Sequence, residues 1–161
     1  MKFRYHDDSL TLHTDLYQIN MMKTYWETGL HEKKAIFEAY FRKLPFENGY
    51  AIFAGLERLV HYIEDLTFSQ TDLEYLRSLD IYPEEFLDYL KNFKFKGNIH
   101  SAVEGELVFA NEPLVQVEGT LAECQLIETA LLNIINFQTL IATKASRIRT
   151  VAGDDTVLEF G

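Results

Sequence analysis

A chain of 161 residues with 47% hydrophobic and 14% aromatic side chains has enough apolar material for a packed core, which excludes a disordered tail. Its formal net charge of −10 excludes a general nucleic-acid or anionic-membrane binder, because those work through broad Lys/Arg surfaces. The charge is uneven: residues 57–90 hold nine acidic and two basic side chains, Gly97 to Thr143 hold no Lys or Arg, and cations return only at Lys144, Arg147 and Arg149.

Met1 to Asp8 is polar and charged where a secretory leader would be apolar, so no leader is read there. The first helix is predicted from about Thr14 to Thr28, with Thr14 as its cap and Gly29 beyond its end. Leu16, Ile19, Met22 and Trp26 form one stripe that faces the core, and Tyr17 lies beside it. Asp15 falls in the first turn, where the helix dipole alone favours a carboxylate. Lys34 to Arg42 alternates in the strand manner, with Ala35, Phe37, Ala39 and Phe41 on one face and Ile36, Glu38, Tyr40 and Arg42 on the other. Pro45 and Asn48-Gly49 punctuate a turn, after which Tyr50 to Leu66 reads as a helix whose Gly55 marks close packing. Two short helices follow. One starts at Thr71, where Thr71-Asp72-Leu73-Glu74 has capping-box spacing, and the other at Pro83, a favoured first helical position. Their acidic faces are solvated faces, the ordinary meaning of such a run.

From Phe95 the composition turns β-rich, with strands predicted around Ile99 to Val103, Glu106 to Phe109 and Leu114 to Glu118. Thr120-Leu121-Ala122-Glu123 is a second capping box, and no Gly or Pro interrupts the chain from there to Gly153. One long helix is predicted, wrapped in apolar residues that include Leu126, Leu132, Ile135, Phe137 and Ile141, and therefore buried on several sides. Cys124 sits in that pattern as a small core residue, and a single cysteine fits a reducing cytoplasm. No stretch is read as approaching the roughly 20 apolar residues of a membrane span. Lys144 and Arg147 share a helical face near the C-terminus, where the dipole favours cations. Thr156 to Phe160 is strand-like. His6, His13, His31, His61 and His100 show no paired metal-ligand spacing, and neither a phosphate-binding Gly-x-x-x-x-Gly-Lys loop nor a nucleophile elbow is present.

Thr14-Asp15-Leu16-Tyr17-Gln18 near the start and Glu159-Phe160-Gly161 at the end resemble segments of the nicotinate phosphoribosyltransferases. Phe37 to Phe46, Gly105 to Phe109, Asn111 to Leu114, Gln125 to Thr129 and Ile134 to Lys144 resemble further blocks of that family, in the family's order. The resemblance covers essentially the whole chain. Family members are much longer, so the chain reads as an N-terminal portion.

The resemblance implies an α+β fold: the α/β-hammerhead domain of a type II phosphoribosyltransferase over residues 1–140, with residues 141–161 as the end of a linking helix and the first strand of an α/β barrel. It implies that nicotinate is joined to the ribose 5-phosphate of phosphoribosyl pyrophosphate, with ATP consumed and Mg2+ assisting, in the cytoplasm. Tyr17 and Phe160 would supply the two aromatic faces around the pyridine ring, and Asp15 would orient the ring nitrogen or a ribose hydroxyl. Arg42 would contact phosphate, with Lys43 beside it, since an Arg fork makes bidentate contacts. No residue of this segment is expected to be catalytic, and the histidine that the family phosphorylates lies beyond it. A homodimer with shared sites is expected, Tyr17 of one chain facing Phe160 of the other. Two alternatives stand beside this: a nicotinamide or quinolinate phosphoribosyltransferase, and a non-catalytic α+β interaction domain.

Overall fold

Alternation of apolar and polar side chains makes Lys34–Ala39 a strand, β1, whose exposure alternates residue by residue as the sequence predicts. A computed structural model describes residues 9–47 and 49–160, so Met1 to Asp8 with His6, Asn48 of the turn, and Gly161 lie outside the described residues. Before β1 comes α1, Leu16–Glu27. After it come β2, Ala51–Ile52, and three helices: α2, Leu56–Glu64; α3, Gln70–Ser78; and α4, Glu84–Lys91. Strands β3, Asn98–Ser101, β4, Leu107–Val108, and β5, Val115–Thr120, then lead into α5, Leu121–Ala152. The α+β class read from the sequence is the observed one.

β5 is the centre of an antiparallel sheet of order β1-β5-β3, with Lys34 opposite Thr120 and Ala39 opposite Val115. β2 and β4 form a separate antiparallel pair. Because β5 runs straight into α5, the capping box at Thr120 fixes both. The Thr120 hydroxyl accepts from Glu123 N at 3.3 Å, and the Glu123 carboxylate accepts from Thr120 N at 2.7 Å and from Lys96 N at 2.6 Å. At about 1.5 Å per residue, α5 is about 48 Å long and spans the domain. It packs on α1, α2, β1, β2 and β5. Thr139 and Thr143, both fully buried, fasten β2 to it: Thr143 Oγ1 accepts from Ile52 N at 2.9 Å and Thr139 Oγ1 from Ala54 N at 3.2 Å.

Several expectations are corrected. The helix predicted from Tyr50 starts only at Leu56, because Ala51–Ile52 is claimed by the ladder with β4. Gly55 is its cap, with φ of 112° in the left-handed region, and a Cβ there would meet Gln138 Cβ at 3.1 Å, so the predicted close packing is present. Gly55 offers no side-chain oxygen, and Glu104 caps α2 from afar by accepting from Gly55 N at 2.8 Å and Leu56 N at 2.9 Å. α3 is capped by Ser69 with Asp72 and begins before Thr71, and Pro83 is the cap of α4 while Glu84 opens it. α1 is capped by Asp15, and Leu16 is 47% exposed, off the buried stripe of Ile19 and Met22. Thr156 to Phe160 pairs with no strand among the described residues and is irregular and exposed. A strand needs a neighbour to take its hydrogen bonds.

α5 also departs from expectation. Its length and composition are those of a helix able to cross a membrane, which the sequence reading discounted. Its N-terminal half is a core helix, with Leu126, Ile127, Ala130, Leu131 and Ile135 buried, while Leu132, Phe137 and Ile141 are exposed.

Candidate functional site

The first turn of α1 lies against α5, and this contact builds a polar cluster at the edge of the core. The Gln18 side chain is fully buried. Its Nε2 donates to the Tyr17 hydroxyl at 2.9 Å and to Thr129 Oγ1 at 3.2 Å. Thr129 in turn donates to Asp15 Oδ2 at 3.0 Å. Behind Gln18, Gln125 Nε2 donates to Gln18 Oε1 and, at 3.2 Å, to Glu128 Oε2, while Tyr25 Oη donates to Gln125 Oε1 at 3.1 Å. Asp15 and Tyr17 are thus joined in one site through partners on both helices. Tyr17 is half exposed, so the residue is accessible from outside the core. Its phenol is held above the ordinary tyrosine range by desolvation first and then by the negative charges of Glu128 and Asp15, against hydrogen bonds with Gln18 and Thr129. It therefore remains a neutral hydroxyl at physiological pH.

Arg42 and Lys43 lie just beyond β1 and are exposed. The turn that follows them, Pro45–Glu47, holds Phe46 and Glu47 at φ of 61° and 51°, a left-handed geometry that non-glycine residues seldom adopt. Arg147 clamps it, with its guanidinium 5.8 Å from the Phe46 ring centroid and Nη1 donating to Phe46 O at 3.4 Å. Arg149 Nη1 donates to Asp155 O at 2.7 Å. The two arginines thus have structural partners, in line with the ordinary reading of cations near a helix C-terminus. Phe160 is 91% exposed and makes no ring contact among the described residues.

Within one chain these features stand apart. Thr129 anchors the Tyr17 cluster and Arg147 anchors the Arg42 turn, and the intervening stretch of α5 is about 27 Å long at 1.5 Å per residue. Phe160 follows the far end of α5. At the Thr129 end, a cleft of about 180 Å³ opens between β1, β5 and α5, lined by Phe37, Ala39, Val117, Cys124, Leu131 and Glu128, among others. Burial first, and Glu123 after it, push the Cys124 thiol up to about 11, and Sγ donates to Ala35 O and Val117 O at 3.7 Å. It is the small core cysteine the sequence predicts.

Gln18, Gln125, Glu128 and Thr129 are the site residues to which sequence reading gave no role. The available signal was the spacing of Gln125, Glu128 and Thr129, which places three polar groups on one face of an otherwise apolar stretch of helix.

A family model for the nicotinate phosphoribosyltransferase (NAPRTase) N-terminal domain matches residues 12–136. Over 161 residues the chain is 60% identical to the nicotinate phosphoribosyltransferase of Bacillus subtilis (strain 168), covering 100% of this chain and 33% of that protein. It is 43% identical to the nicotinate phosphoribosyltransferase of Caenorhabditis elegans, covering 96% and 28%. The crystal structure of human nicotinic acid phosphoribosyltransferase superposes with a TM-score of 0.83 at 35% identity, covering 92% of this chain and 30% of that one. A nicotinate-nucleotide pyrophosphorylase from Pyrococcus furiosus, at TM-score 0.70 and 24% identity, shares the fold. The chain spans about a third of the length of the curated relatives it matches. It belongs to the nicotinate phosphoribosyltransferase N-terminal domain family.

Proposed function

We propose that this chain is the N-terminal part of a nicotinate phosphoribosyltransferase acting in NAD salvage in the cytoplasm. The ring nitrogen of nicotinate attacks C1 of phosphoribosyl pyrophosphate, the C1–O bond to pyrophosphate breaks, and nicotinate mononucleotide forms with consumption of ATP. The observation that carries the reading is the family membership over residues 12–136, taken with an accessible Tyr17 held beside the Asp15 carboxylate. In this reading Tyr17 offers one face to the pyridine ring, Phe160 the other, Asp15 accepts from the substrate, and Arg42 with Lys43 meets phosphate.

The separation of the Tyr17 cluster from the Arg42 turn and Phe160 supports a composite site. Two copies related by a two-fold axis bring the near end of one chain to the far end of the other, generating two identical sites. Among the described residues no group of three or more His, Cys, Asp or Glu side chains converges as a metal-ligand set. Asp15 alone does not fit Mg2+, so the Mg2+ and ATP of the proposed reaction are assigned to residues beyond this chain, and no step is routed through them here.

The full-length protein is expected to make nicotinate mononucleotide from nicotinate, phosphoribosyl pyrophosphate and ATP, and residues 1–161 alone to make none. Product from the segment by itself, or none from the whole, overturns the assignment. In the full-length protein, Arg42→Ala is expected to weaken phosphoribosyl pyrophosphate binding by about 1.5–3 kcal/mol, the worth of a charge-assisted contact, with a smaller effect on nicotinate. Equal weakening of both, measured by titration calorimetry, would make Arg42 a structural residue.

A further inference from the structure

The backbone that carries Arg42 and Lys43 is held on both sides by residues distant in sequence. Upstream, Phe41 O accepts from Asn111 N at 2.8 Å. Downstream, the chain passes Pro45 into Phe46 and Glu47, with φ of 61° and 51°. Two consecutive non-glycine residues in the left-handed region persist only where their surroundings hold them there. The holding contacts come from one stretch of α5. Arg147, 101 residues on, donates Nη1 to Phe46 O at 3.4 Å and sets its guanidinium 5.8 Å from the Phe46 ring centroid. One residue before it, Ser146 Oγ lies 3.3 Å from Tyr50 Oη, and Thr143, a turn earlier, accepts from Ile52 N at 2.9 Å. Arg147 is exposed and forms no ion pair among the described residues, so its charge faces the ring and carbonyl of Phe46 alone there.

We propose that Arg147 is a positioning residue for phosphate binding: by holding Phe46 and Glu47 left-handed, it fixes the direction in which Arg42 and Lys43 leave the end of β1. This rests on the transferase reading above, in which those two cations meet the phosphate of phosphoribosyl pyrophosphate. A guanidinium fork makes its bidentate contact from a narrow range of approaches. A loop free to wander has to be ordered as the phosphate arrives, at the expense of affinity. With Asn111 at one end and Arg147 at the other, that ordering is complete beforehand. Arg147 itself touches no substrate in this scheme.

The test is Arg147→Ala in the full-length protein, alone and together with Glu47→Gly. Alanine removes the clamp, and the KM for phosphoribosyl pyrophosphate is expected to rise about tenfold, the lower end of what a charge-assisted contact is worth. The KM for nicotinate, kcat and the unfolding midpoint should stay unchanged. Glycine takes a positive φ without steric cost, so Glu47→Gly lets the turn keep its shape unaided. Added to Arg147→Ala, it should recover most of the lost affinity. That recovery should exceed the one given by Glu47→Ala, which removes the same negative charge and leaves the steric penalty in place.

An unchanged KM for phosphoribosyl pyrophosphate in Arg147→Ala, or a rise shared equally by nicotinate, overturns the proposal. So does a rise that Glu47→Gly restores no better than Glu47→Ala, the result of an Arg147 that contacts phosphate itself. One readout is independent of turnover. Trypsin cuts after Arg and Lys where the backbone opens, so cleavage after Arg42 and Lys43 should quicken in Arg147→Ala and slow again with Glu47→Gly. An unchanged cleavage rate rejects the clamp even in a protein that makes no nicotinate mononucleotide, whereas failure of the parent to make product rejects the transferase reading.

Discussion

Phe86→Ala is expected to remove about 3–5 kcal/mol of stability, the range for truncating a fully buried aromatic. Phe86 is 0% exposed, and its ring centroid lies 5.8 Å from Trp26, 5.7 Å from Tyr82 and 6.0 Å from Tyr89. These partners come from α1, the loop before α4, and α4 itself, so the ring joins elements far apart in sequence. Removing it leaves a cavity that rigid aromatic neighbours fill poorly, and the lost contacts add to the lost transfer energy. A domain of this size is stable by about 5–15 kcal/mol, so the variant should lie close to its unfolding threshold. Urea unfolding followed by circular dichroism measures it. A loss below about 1 kcal/mol would mean that the helical layer is held elsewhere.

Elements specified by local chemistry were legible in the sequence. The Thr120 and Glu123 capping box needs only residues three apart, and the alternation along β1 needs only period two. Distant partners were not legible. Gly55 was read as a mid-helix residue because nothing near it announces that Glu104 caps the helix from 49 residues away. Ser69 prevailed over Thr71 as the α3 cap, although both stand three residues before an acid. Its partner Asp72 also takes a hydrogen bond from Ser9, 63 residues away, which no local pattern shows. Leu132, Phe137 and Ile141 were expected in a core because apolar residues surround the helix, but periodicity cannot say whether a face is covered.

The candidate site divides in the same way. Asp15 and Tyr17 are two residues apart at the start of one helix, which puts both at the same end of α1, but residues at i and i+2 do not share a face and it is Gln18 and Thr129 that join them. Gln18 was visible as a neighbour, but its role depends on Gln125 and Thr129, over 100 positions away on α5. Only the packing of α1 on α5 reveals that the residues between the Asp15 carboxylate and Glu128 form one connected chain of donors and acceptors.

Mixing full-length Tyr17→Ala protein with full-length Phe160→Ala protein is expected to restore activity that neither variant has alone. Each substitution removes one aromatic face of the proposed pyridine site, with its area burial and roughly 0.5–1.5 kcal/mol of stacking, and misplaces the ring that must react. If one chain supplied both faces, no mixture could repair either defect. The geometry makes that arrangement hard to build. Tyr17 is tied to Thr129 through Gln18, Phe160 follows the far end of the same helix, and the rigid stretch of α5 from Thr129 to Ala152 is about 35 Å long at 1.5 Å per residue. In a two-fold dimer the two ends of opposite chains meet, and a mixed dimer carries one site with both defects and one with none. Random exchange of equal amounts gives half mixed dimers, each with one of its two sites intact, so about a quarter of the parental activity should return. Subunit exchange is followed by mass-tagged chains. If the chains exchange and the mixture remains as inactive as either variant, the shared site is wrong, and Tyr17 belongs to the packing of α1 on α5.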